Sequence, residues 1–314
     1  MTRVVFFGTP KLAVPFLKAL NEAPDFDVVA VVTQPDKPVG RKQELTPTPV
    51  KDAALELDLP VLELKTLKHE IPQGKLKDLK PDLFVVFAYG KIIPQVVLDI
   101  APALNVHPSA LPAYRGPSPL QSAILNGDKT TAVSIMLLDE EMDHGPILVQ
   151  KPIALDARET VSSLEGKVIN VGAPLLINVA KAYLAGDLEP QEQDHKAATI
   201  CKIIEREDSR IDWTQTAEQI DQKIRAFENW PGTYSVLTKT DQTELRLKIL
   251  EAKPSLIILA EEPGTIMIDV GRLLVATGSG ALELIEVQPE GKKKMNAAAF
   301  MQGYSELSQW KFVN

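Results

Sequence analysis

Residues 83–87 read LFVVF, five apolar side chains in a row. Successive side chains of a strand point to opposite faces of the sheet. A strand with no polar face must therefore be covered on both sides, which calls for a largely parallel sheet flanked by helices. The surrounding pattern agrees. Residues 3–7 (RVVFF) read as a first strand, Gly8-Thr9-Pro10 as a turn, and a helix follows to about Glu22. Residues 27–32 (DVVAVV) give a second strand. A helix from about Pro49 to Leu57 leads to a short strand at 61–64. Beyond LFVVF come a short helix near 95–100, a helix around 120–125, a strand at 131–138 (TAVSIMLL) and another in ILVQKPIAL. Thr160 is placed to cap a long amphipathic helix carrying Leu164, Val168, Leu175 and Val179, with a kink or break expected at Pro174. The expected fold class is α/β, with a Rossmann-like, largely parallel sheet. The G-x-G-x-x-G fingerprint of dinucleotide sites is absent; only Gly8 stands at the first turn.

The pattern changes in the last third. Residues 188–208 have mixed charge and weak periodicity. Thr216 and Gln219 have capping-box spacing, and Ile220, Ile224 and Phe227 follow on one face. After Trp230-Pro231-Gly232 come five short strands: TYSVL, LRLKILEA, GTIMIDV, RLLVAT and ALELIEV. Short strands with glycine turns suggest a small closed barrel of OB-like type, with a terminal helix from about Asn296. The expected division is a catalytic domain at 1–188, a linker at 189–208 and a barrel domain at 209–314; 314 residues suit two domains.

Charge narrows the possible partners. The net charge is −8, which argues against a broadly basic nucleic-acid binder. From Asp208 onward, 12 Lys plus Arg face 15 Asp plus Glu, so the barrel would have to use local patches: Lys292, Lys293 and Lys294, or Arg246 and Lys248. Such residues are as easily plain solubilising charge. The single cysteine, Cys201, permits no intrachain disulfide and suits a reducing, cytoplasmic location. No uninterrupted apolar run reaches the ~18 residues that span a bilayer, so no membrane partner is expected. A monomer is expected. Four histidines occur without H-E-x-x-H or C-x-x-C spacing, so no metal is expected. G-x-S-x-G is absent too.

Chemistry concentrates at residues 104–116, LNVHPSALPAYRG. Pro108 and Pro112 rule out a regular helix. The opening Leu104-Asn105-Val106-His107 alternates, so in a strand Asn105 and His107 share one face. An amide donor and an imidazole at a strand end suit activation of a carbonyl; a satisfied polar pair fits the same residues. The strand at 131–138 runs into DEEMDHG, residues 139–145. If that strand lies beside 104–107, its loop brings Asp143 near His107. Asn105 would then donate to a developing oxyanion, His107 move a proton, and Asp143 orient His107 and hold its charged form.

The stretches NVHPSALPAYRGPSPLQSAI and DEEMDHG resemble the 10-formyltetrahydrofolate-dependent formyltransferases. So do FFGTP, VVTQPDKPVGR, PTPVK, FAYGKIIP, RIDW, IRAFENWPGTYS, PGTI and VQPEGKKKM, across nearly the whole chain. The Asn-x-His pair and later Asp resemble what all folate formyltransferases of this fold share. The early proline-rich loop and the C-terminal third resemble the branch whose acceptor is methionyl initiator tRNA. A formyltransferase acting on an amino sugar nucleotide or another small amine is the alternative.

The resemblance implies 10-formyltetrahydrofolate as formyl donor, with no metal and no covalent intermediate. It implies folate contacts along Ala88, Tyr89 and Gly90, along Ser109, Ala110, Leu111 and Pro112, and at Asp139. It implies that residues 33–51, which Pro35, Pro38, Pro47 and Pro49 keep largely irregular, close on the acceptor end of the RNA. Lys37, Arg41 and Lys42 would contact phosphates there, and Lys292, Lys293 and Lys294 would do so from the barrel domain. The chain departs from the family at Ala110, where leucine is usual, at Ala113, where a basic residue is common, and at His144, where a small or polar residue is usual.

Overall fold

The computed structural model describes residues 1–40, 43–239, 241–257, 261–304 and 306–313. In chain order it carries β1 (Thr2–Gly8), α1 (Val14–Glu22), β2 (Phe26–Thr33), the small strands β3 (Lys37–Val39) and β4 (Glu44–Thr46), α2 (Pro49–Glu56), β5 (Val61–Glu63), α3 (Glu70–Asp78), β6 (Leu83–Phe87), α4 (Gln95–Leu98), β7 (Ala103–His107), α5 (Pro119–Leu125), β8 (Thr130–Leu137), β9 (Ile147–Ala154) and α6 (Val161–Ala185). Contacts divide the chain into two units. One comprises Met1–Pro119, Thr130–Ala154 and Glu165–Lys202; the other comprises Leu120–Lys129, Leu155–Leu164 and Ile203–Asn314. The division follows spatial neighbours, so residues 189–202 group with the first unit.

The first unit is built on a seven-stranded sheet in the order β5-β2-β1-β6-β7-β8-β9. The β5, β2, β1, β6 and β7 strands are parallel. All five residues of β6 are buried, as a strand covered on both faces requires. The chain works outward from β1 to β5 and then restarts on the other side with β6. This reversal sets the ends of β1 and β6 side by side, Gly8 opposite Phe87, where open α/β sheets bind ligands. The core beside them holds Phe7, Phe84, Tyr89, Val97 and Leu76.

The sheet turns mixed at its far edge. The β8 strand runs antiparallel to β7, with Leu104 opposite Leu137 and His107 opposite Ser134, and β9 runs antiparallel to β8. Asp143 therefore does not come from the carboxyl end of a parallel neighbour. It comes from a loop that folds back after β8.

Two local expectations need correction. Residues 37–46 are not wholly irregular: β3 and β4 pair as a ribbon with Pro38 opposite Leu45. A proline fits a two-stranded ribbon where its missing N–H is not needed in the ladder. The α6 helix runs unbroken through Pro174. Pro174 lies on an exposed face, where water can take the freed carbonyl, while Leu176, Val179 and Ala180 anchor the next turn in the core. Thr160 caps it as expected, its Oγ1 accepting from Ser163 N at 3.2 Å. This helix is long and apolar enough by composition to cross a membrane, yet Leu164, Val168 and Leu176 are fully buried within the protein.

The second unit carries α7 (Ala217–Ala226), β10 (Tyr234–Lys239), β11 (Glu244–Ser255), β12 (Ile266–Asp269), β13 (Arg272–Ala276), β14 (Ala281–Pro289), β15 (Met295–Asn296), α8 (Ala297–Gly303) and β16 (Trp310–Val313). Its strands form an antiparallel sheet ordered β12-β13-β14-β11-β10-β16, with β15 beside β14. The sheet closes on itself: Thr265 bridges Lys311, and Phe312 N donates to Gly264 O at 2.9 Å. The closing strand β16, four residues at the chain end, is absent from the five expected from sequence. The capping box of Thr216 and Gln219 opens α7. Trp213, Phe300 and Phe312 fill the core.

Candidate active site

Asn105 and His107 lie two apart on β7 and are 7% and 4% exposed. The loop after β8 lays Asp143 against both. Asn105 Nδ2 donates to Asp143 Oδ1 at 3.3 Å, and His107 Nδ1 stands 3.6 Å from the same oxygen. The second carboxylate oxygen accepts from Gly116 N at 2.8 Å. The three side chains named from sequence thus form one cluster, Asn105 and His107 buried and Asp143 partly so.

The bond that orients the imidazole goes elsewhere. His107 Nε2 lies 2.9 Å from the carbonyl of Tyr114. A carbonyl can only accept, so Nε2 carries the hydrogen and Nδ1 is the nitrogen free to gain or lose a proton. Nδ1 is also the nitrogen that faces Asp143. Tyr114 takes a left-handed φ of 57°, and Gly116 a φ of 116°. A Cβ on Gly116 would stand 2.5 Å from the carbonyl oxygen of Cys201, so glycine is required there.

The 109–112 turn is braced by β8 and β9. Ser109 is fully buried; its Oγ donates to Ala113 O at 2.6 Å, and its carbonyl accepts from Ser134 Oγ at 2.7 Å. Gln150 Nε2 reaches Leu111 O at 3.0 Å and Ser134 Oγ at 2.9 Å. Leu111 is buried, and Ala110 and Pro112 are half-buried. Ser109 therefore shapes the turn, while Ala110 and Pro112 present partly open surface.

The turn after β6 sits beside the cluster, because Val86 pairs with Asn105 in register. Ala88 and Gly90 are exposed, with φ of 50° and 76°. Tyr89 points the other way. Its ring meets Phe7 edge-on at 5.4 Å in the core, and among the described residues its hydroxyl has no hydrogen-bond partner. Burial pushes its phenol up to about 12. Its carbonyl accepts from Thr9 Oγ1 at 3.0 Å and Gln34 Nε2 at 2.9 Å. Tyr89 thus shapes the turn through its main chain and contributes no side chain to the surface there. Asp139 is committed within its own loop: it pairs with His144 Nδ1 at 2.7 Å and accepts from Glu141 N at 3.0 Å.

The basic residues fall in four situations. Lys37 Nζ donates to Gln34 Oε1 at 3.0 Å, which ties the loop to the Tyr89 turn. Arg41 and Lys42 lie outside the described residues. Lys292, Lys293 and Lys294 are exposed between β14 and the Met295–Asn296 strand, with Lys294 3.2 Å from Glu286. Lys51 is held by Asp36 at 2.8 Å and Glu63 at 2.7 Å. The Asp36 and Glu63 carboxylates raise its pKa, and Lys51 lowers that of Asp36. No cluster of three His, Cys, Asp or Glu side chains fit for a metal occurs among the described residues.

Sequence reasoning missed Arg115 and Gln193, both buried, and the supports Ser134, Gln150 and Gln34. Arg115 lay within the highlighted stretch, but nothing in the local pattern singles out Gln193.

Comparison with known proteins shows the family. The formyl transferase family model matches residues 2–180, more than half of the chain, and the model of the formyl transferase C-terminal domain matches residues 203–305. The chain belongs to the formyl transferase family. Methionyl-tRNA formyltransferase of Chloroflexus aurantiacus is 43% identical to this formyl transferase over 305 residues, 96% of each chain. The enzyme of the same name from Listeria welshimeri is 40% identical over 306 residues, again 96% of each. Among solved structures, an N-formyltransferase from Helicobacter canadensis in complex with folinic acid and dTDP-3-aminofucose matches with a TM-score of 0.66 at 18% identity, covering 90% of this chain and 99% of that one. HypX from Aquifex aeolicus in complex with tetrahydrofolic acid matches with a TM-score of 0.61 at 18% identity over 95% of this chain, which spans 46% of that protein. At these identities the structural likeness concerns the fold.

Proposed function

We infer that this formyl transferase moves the formyl group of 10-formyltetrahydrofolate to the α-amine of methionine on initiator tRNA. The observation that carries the chemistry is the largely buried cluster of Asn105, His107 and Asp143. The acceptor reading is supported by the 43% identity to methionyl-tRNA formyltransferase along both domains. The donor's ring system is a flat array of hydrogen-bonding edges. The exposed Ala88 and Gly90 turn beside Asn105 suits it, since an alanine and a glycine place no bulky side chain on the surface.

The residues divide the work as follows. Asn105 Nδ2 is an amide donor in a water-poor setting, able to take negative charge as it develops on the formyl oxygen. His107 Nδ1 exchanges a proton with the reacting groups, because Nε2 is committed to Tyr114 O. Asp143 sits within 3.6 Å of both side chains, so its carboxylate is placed to orient the imidazole and to accept from Asn105 Nδ2. The incoming amine attacks as the neutral base. We assign RNA phosphates to Lys37, Arg41 and Lys42 and to Lys292–Lys294, and place the reaction in the cytoplasm, which the free buried thiol of Cys201 suits.

The test is incubation with labelled 10-formyltetrahydrofolate and charged initiator tRNA, beside free methionine and an amino sugar nucleotide. Label transferred to methionyl-tRNA is expected. Transfer to the amino sugar alone would overturn the acceptor assignment.

A further inference from the structure

Gln193 is 6% exposed and has no part in the chemistry above. Its carboxamide makes four hydrogen bonds. Nε2 donates to the carbonyl of Asp143 at 3.0 Å and to that of Gly145 at 2.7 Å. Oε1 accepts from Arg115 Nε at 3.1 Å and Nη2 at 2.7 Å. The amide uses both its hydrogens and both its lone pairs. The orientation is unambiguous, because carbonyls only accept and a guanidinium only donates.

Arg115 is fixed in turn. Its Nη2 lies 2.9 Å from His195 Nδ1, its N donates to Thr199 O at 2.9 Å, and its carbonyl accepts from Cys201 N at 2.8 Å. His195 stacks on His144 at 4.0 Å, and His144 holds Asp139 at the start of the same loop. The residue after Arg115 is Gly116, whose N–H holds the Asp143 carboxylate. Asp143 is thus gripped twice from one place, at its carboxylate by the chain beside Arg115 and at its carbonyl by the side chain that Arg115 holds. The turn needs such an anchor. Asp143 has a left-handed φ of 51°, and a Cβ on Gly145 would stand 2.1 Å from Leu137 O.

We propose that Gln193, held by Arg115, is a positioning residue that sets where the Asp143 carboxylate stands against His107 and Asn105. The proposal rests on Asp143 serving the formyl transfer inferred above. A brace of merely structural value would contribute to stability without acting selectively on turnover.

Two variants separate the cases. Gln193→Glu keeps the shape and the pairing with Arg115 but turns an oxygen onto two carbonyl oxygens. Gln193→Met keeps the volume and drops all four bonds. Misplacement of a reacting group by about 1 Å costs on the order of 10²-fold. Single-turnover formyl transfer should therefore fall ~10- to 10²-fold in each variant, with the folate dissociation constant nearly unchanged. In an Asp143→Asn background the same changes should cost little more, because the carboxylate they position is already gone. A wild-type rate in Gln193→Glu, or an equal loss in both backgrounds, would overturn the proposal. Amide exchange over residues 139–146 forms a further arm that needs no acceptor, and it should quicken in both variants. If the wild-type enzyme leaves methionyl-tRNA untouched, the acceptor reading fails and exchange alone decides: an unchanged loop refutes Gln193 as its anchor. Should Gln193→Met not fold, Arg115→Lys, which keeps the charge but loses the fork, takes its place with the same expectations.

Discussion

Replacing Asp143 by asparagine isolates the contribution of one charge. The carboxylate is 13% exposed and stands 3.6 Å from His107 Nδ1, itself on a side chain 5% exposed. At an effective dielectric of ~20, two unit charges at that distance interact by about 5 kcal/mol. The full value needs a full charge on the imidazole and no relaxation, so about half, 2 to 3 kcal/mol, is the expected loss at the transition state. At 1.36 kcal/mol per decade this is roughly 30- to 150-fold in rate. The amide also turns one NH₂ toward the NH₂ of Asn105, which the carboxylate now accepts at 3.3 Å. The fold should tolerate the change, since asparagine adopts the left-handed backbone found at Asp143 and its oxygen can still accept from Gly116 N. The assay is single-turnover formyl transfer to charged tRNA between pH 6 and 9, with folate binding measured in parallel. Rates matching wild type across that range, or a loss explained wholly by weaker folate binding, would refute the electrostatic role.

Three further outcomes are expected. Asn105→Ala and His107→Ala should each lower transfer by ~10²-fold or more with the thermal midpoint little changed, the scale for losing an oxyanion donor or general acid/base; single-turnover rates with melting curves check this. Arg41→Ala with Lys42→Ala should weaken charged tRNA and flatten the salt slope of binding by up to ~2 units, measured at several salt concentrations, whereas Lys51→Ala should loosen the 33–51 loop without removing a phosphate contact, because Asp36 and Glu63 already hold its ammonium. Tyr89→Phe should leave turnover intact and remove an alkaline weakness: burial raises the phenol pKa to about 12, so its neutral form stabilises the fold below the ordinary value of about 10, and that contribution is lost as pH rises from there to about 12. Melting curves between pH 8 and 12 report it, and an unchanged alkaline profile would refute the assignment.

The sequence by itself determined the layered α/β half and the chemistry it can carry. Periodicity is a local property, so LFVVF specified a strand covered on both faces, and the alternation in Leu104-Asn105-Val106-His107 put Asn105 and His107 on one face. The capping pairs at Thr160 and Thr216 were legible because a cap spans three residues. Tertiary structure decided everything that depends on distant pairing. The antiparallel direction of β8 comes from hydrogen bonds between strands more than twenty residues apart, and it is what makes the Asp143 loop fold back. Of the kink or break expected at Pro174, no break appears, because burial of Leu176 and Val179 outweighs a local cost of ~3 kcal/mol. The ring of Tyr89 in AYG went to the core, since large apolar area gains more from burial than from display, and only its main chain stays at the turn. Closure of the barrel by β16, and the reach of Gln193 to a carbonyl fifty residues earlier, have no local signature at all. Both are set by which buried donors and acceptors the folded chain brings together and must satisfy.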